Sequence, residues 1–293
     1  MVVVQLMGGM GNQMFQYAFG KRLAFENNLP LKLDLNFLLD RTPRENFVFR
    51  DYDLDIFNLE ASILTEEERA LFLQPAGRIK TWLGIEKGVK RVQENGPAYN
   101  NDYLVQAKRI FAVGYWQSEK YFDGIKTDLL RDFTFRNSLN AAQRQLLEQV
   151  NEQVSVCMNF RRTDYVDVKG SAETHGFTGM EYYSKAVDYL KDKLGEFCLY
   201  VFSDDIDWCR QNVSFDVPTT FVGHEFKGVK FAAYLELMIA CKHFIIPNSS
   251  FAWWAAWLSR NEDKVVIAPA KWFENSTLQE QSLDIVPESW IKM

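Results

Sequence analysis

The chain is poor in the residues that build metal centres and disulfide frameworks. It has three histidines and four cysteines in 293 residues. The histidines show no metal-ligand spacing. Cys157, Cys198, Cys209 and Cys241 form no CxxC pair and no zinc pattern, and each lies in or beside an apolar segment. Reduced core thiols and a cytoplasmic setting are therefore expected. No apolar run approaches the roughly 18 residues needed to span a bilayer. The N-terminus lacks the basic region and cleavage site of a signal peptide. Internal repeats and low-complexity segments are missing. So is an excess of basic charge: the net charge is −6, which counts against a general nucleic-acid binder.

What is present is a large apolar stock, 47% of residues, with 15% aromatic. That suffices for one large core or two of ordinary size. Val2 to Met7 reads as a buried strand, and a helical spacing of apolar residues starts near Asn12. Residues 31–34 read as a second strand. Residues 40–64 look irregular. A helix opens at Thr65, a strand is expected at 110–113 and a helix over 118–131. The second half is more regular. Strand-like runs at 154–160, 197–202, 219–222, 244–247 and 264–268 alternate with helical patterns at 180–194, 205–212, 231–242 and 251–259. Such alternation predicts a parallel sheet covered on both faces. A helical stretch at 138–151 precedes it, which places a domain boundary near 150. Residues 77–97 carry five basic residues against two acidic ones, a net of +3. A solvated surface is the plain reading, and peripheral contact with an anionic lipid surface the sharper one.

In open parallel sheets, ligands bind beyond the carboxyl ends of the strands. Three such ends carry chemistry. The first is "VSVCMNFRRTDYV", a strand that runs into Arg161 and Arg162 with Asp164 close by. Successive strand residues point to opposite faces. One arginine is therefore expected to serve a ligand while the other pairs with a carboxylate. The guanidinium fork matches phosphate oxygens two at a time; a merely structural Arg–Asp pair is the alternative. In "FSDD", Ser203 and Asp204 can cap the next helix, and Asp204 and Asp205 can also accept from a ribose or base. In "IIPNSSFAWWAAWL", a strand ends at Pro247. Asn248, Ser249, Ser250 and Phe251 lead into a helix whose free N–H groups can hold an anion. Trp253 and Trp257 share a helix face and read as core.

The opening loop "LMGGMGNQMFQYAFG" is different. It lacks the Lys-Ser/Thr ending of a P-loop, and Met14 stands where a dinucleotide fingerprint needs its third glycine. Gly8, Gly9 and Gly11 permit a tight turn. The carboxamides of Asn12 and Gln13 both donate and accept, which suits a sugar hydroxyl.

With these residues in view, the sequence resembles bacterial α-1,2-fucosyltransferases of glycosyltransferase family 11. "GGMGNQMFQYAFG", "GYWQSEKYF" at 114–122, "YVFSDD" at 200–205, "CKHFIIPNSSFAWWAAWL" at 241–258 and "DIVPESWIKM" at 284–293 are similar to that family's blocks, over essentially the whole chain. The resemblance implies a GT-B-like α/β fold, two Rossmann-type halves with parallel sheets facing a central cleft. Residues 1–150 would form the acceptor side and residues 151–293 the half that binds GDP-fucose. It implies a galactoside α-1,2-fucosyltransferase, a hexosyltransferase that inverts at the anomeric carbon with no metal and no cofactor. Its product would enter a surface polysaccharide or O-antigen.

Asn159, Arg161, Arg162, Asp204, Asp205, Asn248, Ser249, Ser250 and Phe251 are then expected on the donor. Gly9, Gly11, Asn12 and Gln13 are expected on the acceptor side. Catalysis would fall to Arg161, which stabilises charge on the leaving phosphate, to Asn12 and to Asp164. Asp167, Glu173 and His175 are further candidates for the base. The partners would be GDP-fucose and a β-galactoside glycan, lipid-linked if the basic stretch meets the inner face of a membrane. The family's arginine motif usually reads His-x-Arg-Arg-Gly-Asp; here Asn159 replaces the His and Thr163 the Gly. Two other readings are weighed against this one. A metal-dependent GT-A transferase would use Asp51 and Asp53, Asp53 and Asp55, or Asp205 and Asp207 as a DxD pair. A noncatalytic carbohydrate-binding protein would account for the eight tryptophans but not for a double arginine beside a helix-terminal serine pair.

Overall fold

The computed structural model describes residues 1–44, 48–74, 88–162 and 178–293. The chain gathers into two compact units, Met1–Thr134 and Phe135–Met293. Each is built on one fully parallel sheet, as the alternation of strands and helices predicts.

In the first unit, β1 (Val2–Gln5) lies at the centre. Three consecutive valines, all fully buried, suit a strand covered on both faces. It pairs in parallel with β2 (Leu31–Asp34) and, further along the chain, with β5 (Ile110–Val113). The short β3 (Ser62–Ile63) and β4 (Lys90–Gln93) complete the order β3-β2-β1-β5-β4. Parallel neighbours need crossover connections. The first is α1 (Met10–Asn27), which ends where Asn28 turns left-handed at φ 51°. The helices α2 (Asn36–Leu39), α3 (Glu66–Leu73) and α4 (Lys126–Asp132) follow. The expected start at Thr65 is a complete capping box, in which Thr65 and Glu68 satisfy each other's backbone N–H. The helix expected over 118–131 is instead a 3-10 turn, Glu119–Phe122, followed by α4.

Two features hold α1 in place. Gly20 presses against the sheet: a Cβ there would sit 2.5 Å from Val4 Cγ2 and 2.9 Å from Leu31 Cδ1. The buried carboxylate of Asp132 accepts from Tyr17 Oη at 2.6 Å and faces Lys21 Nζ at 3.1 Å. That pairing offsets the cost of desolvating the charge.

The second unit holds β6 (Ser155–Phe160), β7 (Cys198–Ser203), β8 (Thr219–Phe221), β9 (His243–Ile245), β10 (Val266–Ala268) and β11 (Ile291–Lys292). They lie in the order β11-β10-β9-β6-β7-β8. The helices are α5 (Ala141–Glu152), α6 (Met180–Leu194), α7 (Ile206–Asn212), α8 (Ala232–Ala240), α9 (Ser250–Leu258) and α10 (Ser276–Gln281). The expected boundary near 150 falls at the end of α5. That helix packs on α8 within the second unit, and its Gln143 donates to Phe226 O at 3.1 Å. The strand expected to reach Pro247 stops at Ile245. Strands β3, β4 and β11 and helix α10 have too few residues to show a period. Trp253, Trp254 and Trp257 pack together as core, and Trp253 Nε1 donates to Ile285 O at 2.7 Å.

All four cysteines are free; Cys157, Cys209 and Cys241 are buried and Cys198 half-buried. Burial pushes the Cys157 thiol up and that of Cys209 up to about 11, so neither forms a nucleophilic thiolate at neutral pH. Iodoacetamide at pH 8 is expected to label Cys198 in the native protein and the other three only after denaturation, read by peptide mass spectrometry. Equal native labelling of Cys157 would contradict this packing. Gly20→Ala is expected to destabilise the first unit by about 1–3 kcal/mol, because the added methyl overlaps Val4. Gly9→Ala, whose Cβ meets nothing within 4 Å, is the control. Equal midpoints in thermal unfolding would refute the close approach.

Candidate functional site

Strand order decides where the second unit opens. From β6 the chain builds β7 and β8 on one side; it then builds β9, β10 and β11 on the other. β7 and β9 thus lie on opposite sides of β6, and at such a reversal ligands bind beyond the carboxyl ends of the strands. Met158 pairs with Ile245. Three residues beyond them stand Arg161 on one side and Asn248 on the other. The arginine pair and the serine pair, far apart in sequence, thus follow adjacent strands.

Arg162 is the arginine that takes a carboxylate. Its Nε lies 3.5 Å from Asp205 Oδ2, and its guanidinium sits 3.5 Å over the Trp208 ring. Its backbone N–H donates to Asp204 Oδ1 at 2.9 Å. Arg161 is half-buried at the end of β6. A carboxylate partner of the kind expected for one of the two arginines is present at Arg162. The helix cap differs from expectation. Asp205, not Ser203 or Asp204, caps α7 by accepting from Trp208 N at 3.2 Å, while Ser203 Oγ accepts from Asp205 N at 2.9 Å. Asp205 is thus committed to the protein, with one oxygen on the helix and the other toward Arg162.

On the other side, Ser249 N donates to Pro247 O at 2.8 Å and closes a tight turn. Ser249 Oγ accepts from Ala252 N at 3.5 Å as the cap of α9. Asn248 is buried; its Nδ2 donates to Trp272 O at 3.0 Å, and its Oδ1 accepts from Thr178 Oγ1 at 3.3 Å. Ser250 and Phe251, both half-buried, form the first turn of α9. The free N–H groups of that turn carry the partial positive charge of a helix start. Asn159 is only 7% exposed and its Nδ2 donates to Phe202 O at 3.3 Å.

Two tyrosines that the sequence shows only as part of a helical pattern tie α6 to the ends of β6 and β9. At the start of α6, Tyr182 Oη lies 2.6 Å from Ile246 O, just past β9. Tyr183 Oη donates to Asn159 O at 2.9 Å near the end of β6. Burial pushes the Tyr182 phenol up, so it stays a donor. His224, also missed, places Nε2 2.9 Å from Ser203 O. An adjacent Tyr-Tyr pair at a helix start was the available signal for the first; nothing local marks the second.

In the first unit, Gly8 is left-handed at φ 77°, and a Cβ there would meet Asn12 Nδ2 at 2.6 Å. Gly9 caps α1, and Gly11 lies in its first turn. Asn12 Oδ1 accepts from Gln117 Nε2 at 2.7 Å. Gln13 departs from expectation. It is fully buried, and its Nε2 donates to Gly8 O at 2.9 Å and to Asp51 O at 2.8 Å. Its Oε1 accepts from Asp53 N at 3.0 Å. Both N–H groups are consumed by the fold, so Gln13 positions the glycine loop and offers no donor to a hydroxyl.

Asp164, Asp167, Glu173 and His175 lie outside the described residues, as does Thr163. So do Arg78, Lys80 and Lys87 of the basic stretch. Among the described residues, no group of three or more His, Cys, Asp or Glu is arranged to hold a metal ion. Of the DxD pairs, Asp205 is a helix cap and Asp207 pairs with Arg210 at 2.8 Å.

Arg162→Ala removes both the partner of Asp205 and the ring contact with Trp208. It is expected to lower stability by about 1–3 kcal/mol. Arg162→Lys is expected to recover less than half of that, since an ammonium cannot reproduce the planar contact. Urea unfolding of the three forms decides; an Ala variant as stable as the parent removes Arg162 from this anchoring role.

The profile of glycosyl transferase family 11 matches residues 96–293. The chain is 32% identical to an Alpha-1,2-colitosyltransferase of Escherichia coli, covering 100% of this chain and 98% of that protein. It is 30% identical to the O-antigen biosynthesis glycosyltransferase WbnK of Escherichia coli, over 98% and 99% of the two chains. A pig Galactoside alpha-(1,2)-fucosyltransferase 2 is 26% identical over 55% of this chain and 51% of its own. A family profile over two thirds of the chain, with a relative of this identity along its full length, places the protein: it belongs to glycosyl transferase family 11.

Proposed function

We propose that the protein is an inverting transferase that moves L-fucose from GDP-β-L-fucose to the 2-hydroxyl of a terminal β-galactoside. The observation that supports this reading is the parallel pairing of β6 with β9, whose carboxyl ends lead into Arg161 on one strand and into the Asn248–Phe251 turn and the start of α9 on the other. Two fixed cationic elements on adjacent strand ends suit a diphosphate. The second unit, Phe135–Met293, would then hold the donor and the first unit, Met1–Thr134, the acceptor.

The chemistry follows from charge. The bond between the fucose anomeric carbon and the β-phosphate oxygen breaks as the galactose oxygen attacks from the opposite face. Negative charge grows on the β-phosphate. Arg161, the first N–H groups of α9 and the Ser249 and Ser250 hydroxyls stabilise it. Asp204 and Asn159 hold the nucleoside. Asp205, which also caps α7 and faces Arg162, stands beside them. Asn12 orients the acceptor, and Asp164 takes the proton that the attacking hydroxyl loses. Lys90 and Arg91, exposed on β4, support an anionic, lipid-linked form of the acceptor at a membrane face.

A second donor is favoured by one observation. The full-length relative at 32% identity is named a colitosyltransferase. Colitose is fucose without its 3-hydroxyl. Incubation with GDP-fucose or GDP-colitose and a panel of β-galactosides, with linkage read by NMR, separates the two. Fucose at O2 supports the proposal, and exclusive use of colitose replaces the donor. Transfer undiminished in EDTA removes a metal-dependent mechanism. Absence of GDP binding in calorimetry would overturn the reading in favour of a carbohydrate-binding protein. Arg161→Lys is expected to lower kcat about a hundredfold, or about 3 kcal/mol, with the unfolding midpoint unchanged. A near-normal kcat removes Arg161 from the leaving group.

A further inference from the structure

The first sheet repeats the construction of the second. From β1 the chain builds β2 and β3 on one side, and β4 and β5 fall on the other. The order reverses between β1 and β5, the kind of place where open parallel sheets bind ligands. Glu94 and the turn Gly114–Gln117 follow the adjacent β4 and β5. The hydrogen bond from Gln117 Nε2 to Asn12 Oδ1, at 2.7 Å, joins the two sides of that reversal.

This bond leaves a specific remainder. Among the described residues, nothing hydrogen-bonds to Asn12 Nδ2 or Gln117 Oε1, and both side chains are half-buried. One amide keeps its donors and the other keeps its acceptor. A sugar hydroxyl, which donates one hydrogen and accepts others, matches that pair. Tyr115, at the tip of the same turn, is 40% exposed. Its ring can cover the C–H face of a pyranose.

The turn is also held under strain. Trp116 has φ 48°, a conformation that bulky residues avoid. Three features hold it there. Glu94 accepts from Tyr115 N at 2.5 Å and Trp116 N at 2.8 Å. Trp116 stacks on Phe19 with centroids 4.0 Å apart. Gly114 lets the strands close up, since a Cβ there would sit 2.4 Å from Glu94 Cβ. Trp116 Nε1 is buried with no hydrogen-bond partner among the described residues. A strained turn braced by a carboxylate, with a polar atom left over, suits a geometry kept for a ligand.

We propose that Gln117 is an acceptor-specificity residue: paired with Asn12 and positioned by the Glu94-braced turn, it binds a hydroxyl of the glycan acceptor. This rests on the reading of the protein as a glycan-modifying transferase, so binding and turnover are measured separately. The probe is methyl β-D-galactopyranoside with its 3-, 4- and 6-deoxy analogues, observed by saturation-transfer NMR against the wild type, Gln117→Ala and the near-isosteric Gln117→Met. The wild type is expected to bind the parent glycoside three- to tenfold more tightly than one deoxy analogue. In Gln117→Ala that ratio is expected to fall to about one, with the parent glycoside weakened by the same factor. If the Ala variant is unfolded, Gln117→Met, which keeps the length of the side chain but removes the acceptor oxygen, supplies the same comparison. A deoxy ratio unchanged by either substitution, or no galactoside binding by the wild type, overturns the inference. Intact galactoside binding with no sugar transfer from any GDP-sugar counts against the transferase reading alone.

Discussion

A strand paired in parallel with neighbours on both sides sends every continuation of its sheet to one edge. That constraint governs each unit. β1 and β6 are buried on both faces and lie between strands reached in opposite directions along the chain. The crossovers must clear the sheet, so helices cover it; the loops must leave from one edge, so polar groups collect there. Gly20 exists to let α1 lie on β1. Tyr182 and Tyr183 exist to fasten α6 across the place where β6 and β9 part.

The collected edge has a cost that side chains meet. Backbone groups beyond the last ladder bond lack strand partners, and buried ones must be satisfied. Gln16 takes both the N–H and the carbonyl of Met7. Gln13 bridges Gly8, Asp51 and Asp53. Glu94 takes the N–H groups of Tyr115 and Trp116, and Asp204 takes that of Arg162. Amides and carboxylates that look like ligand contacts in the sequence are in large part the internal wiring of these edges. What the wiring leaves over is the candidate site.

The two edges leave different remainders. Around β6 and β9, Arg161, Arg162 and a helix start bring positive charge, with the Arg162 guanidinium held by Asp205 and Trp208. Around β1 and β5 the remainders are neutral, carboxamide and aromatic. Under the proposed function this contrast has a direct meaning. A nucleoside diphosphate needs fixed positive charge, because its developing charge is large. A neutral glycan is better distinguished by hydrogen bonds, where a missing hydroxyl leaves a polar group unpaired.

The sequence by itself determined the class of fold, because buried parallel strands and amphipathic helices have distinct periods. The fully buried Val2–Val4 run and the pattern at 180–194 needed no tertiary information to be read. It also determined the family, whose blocks are long and nearly continuous, and it pointed to Arg161, Arg162 and the Asn248–Phe251 turn. Tertiary structure alone decided which polar residues are spent. Gln13 and Asp205 have the composition of ligand contacts, but their protein partners lie up to 40 residues away in sequence for Gln13 and, at Arg162 just past the neighbouring strand, 43 for Asp205. The pairing of Asn12 with Gln117 spans 105 positions. Such contacts come from strand order, and strand order is set by which apolar faces pack together, a property of the whole sheet that no local spacing encodes.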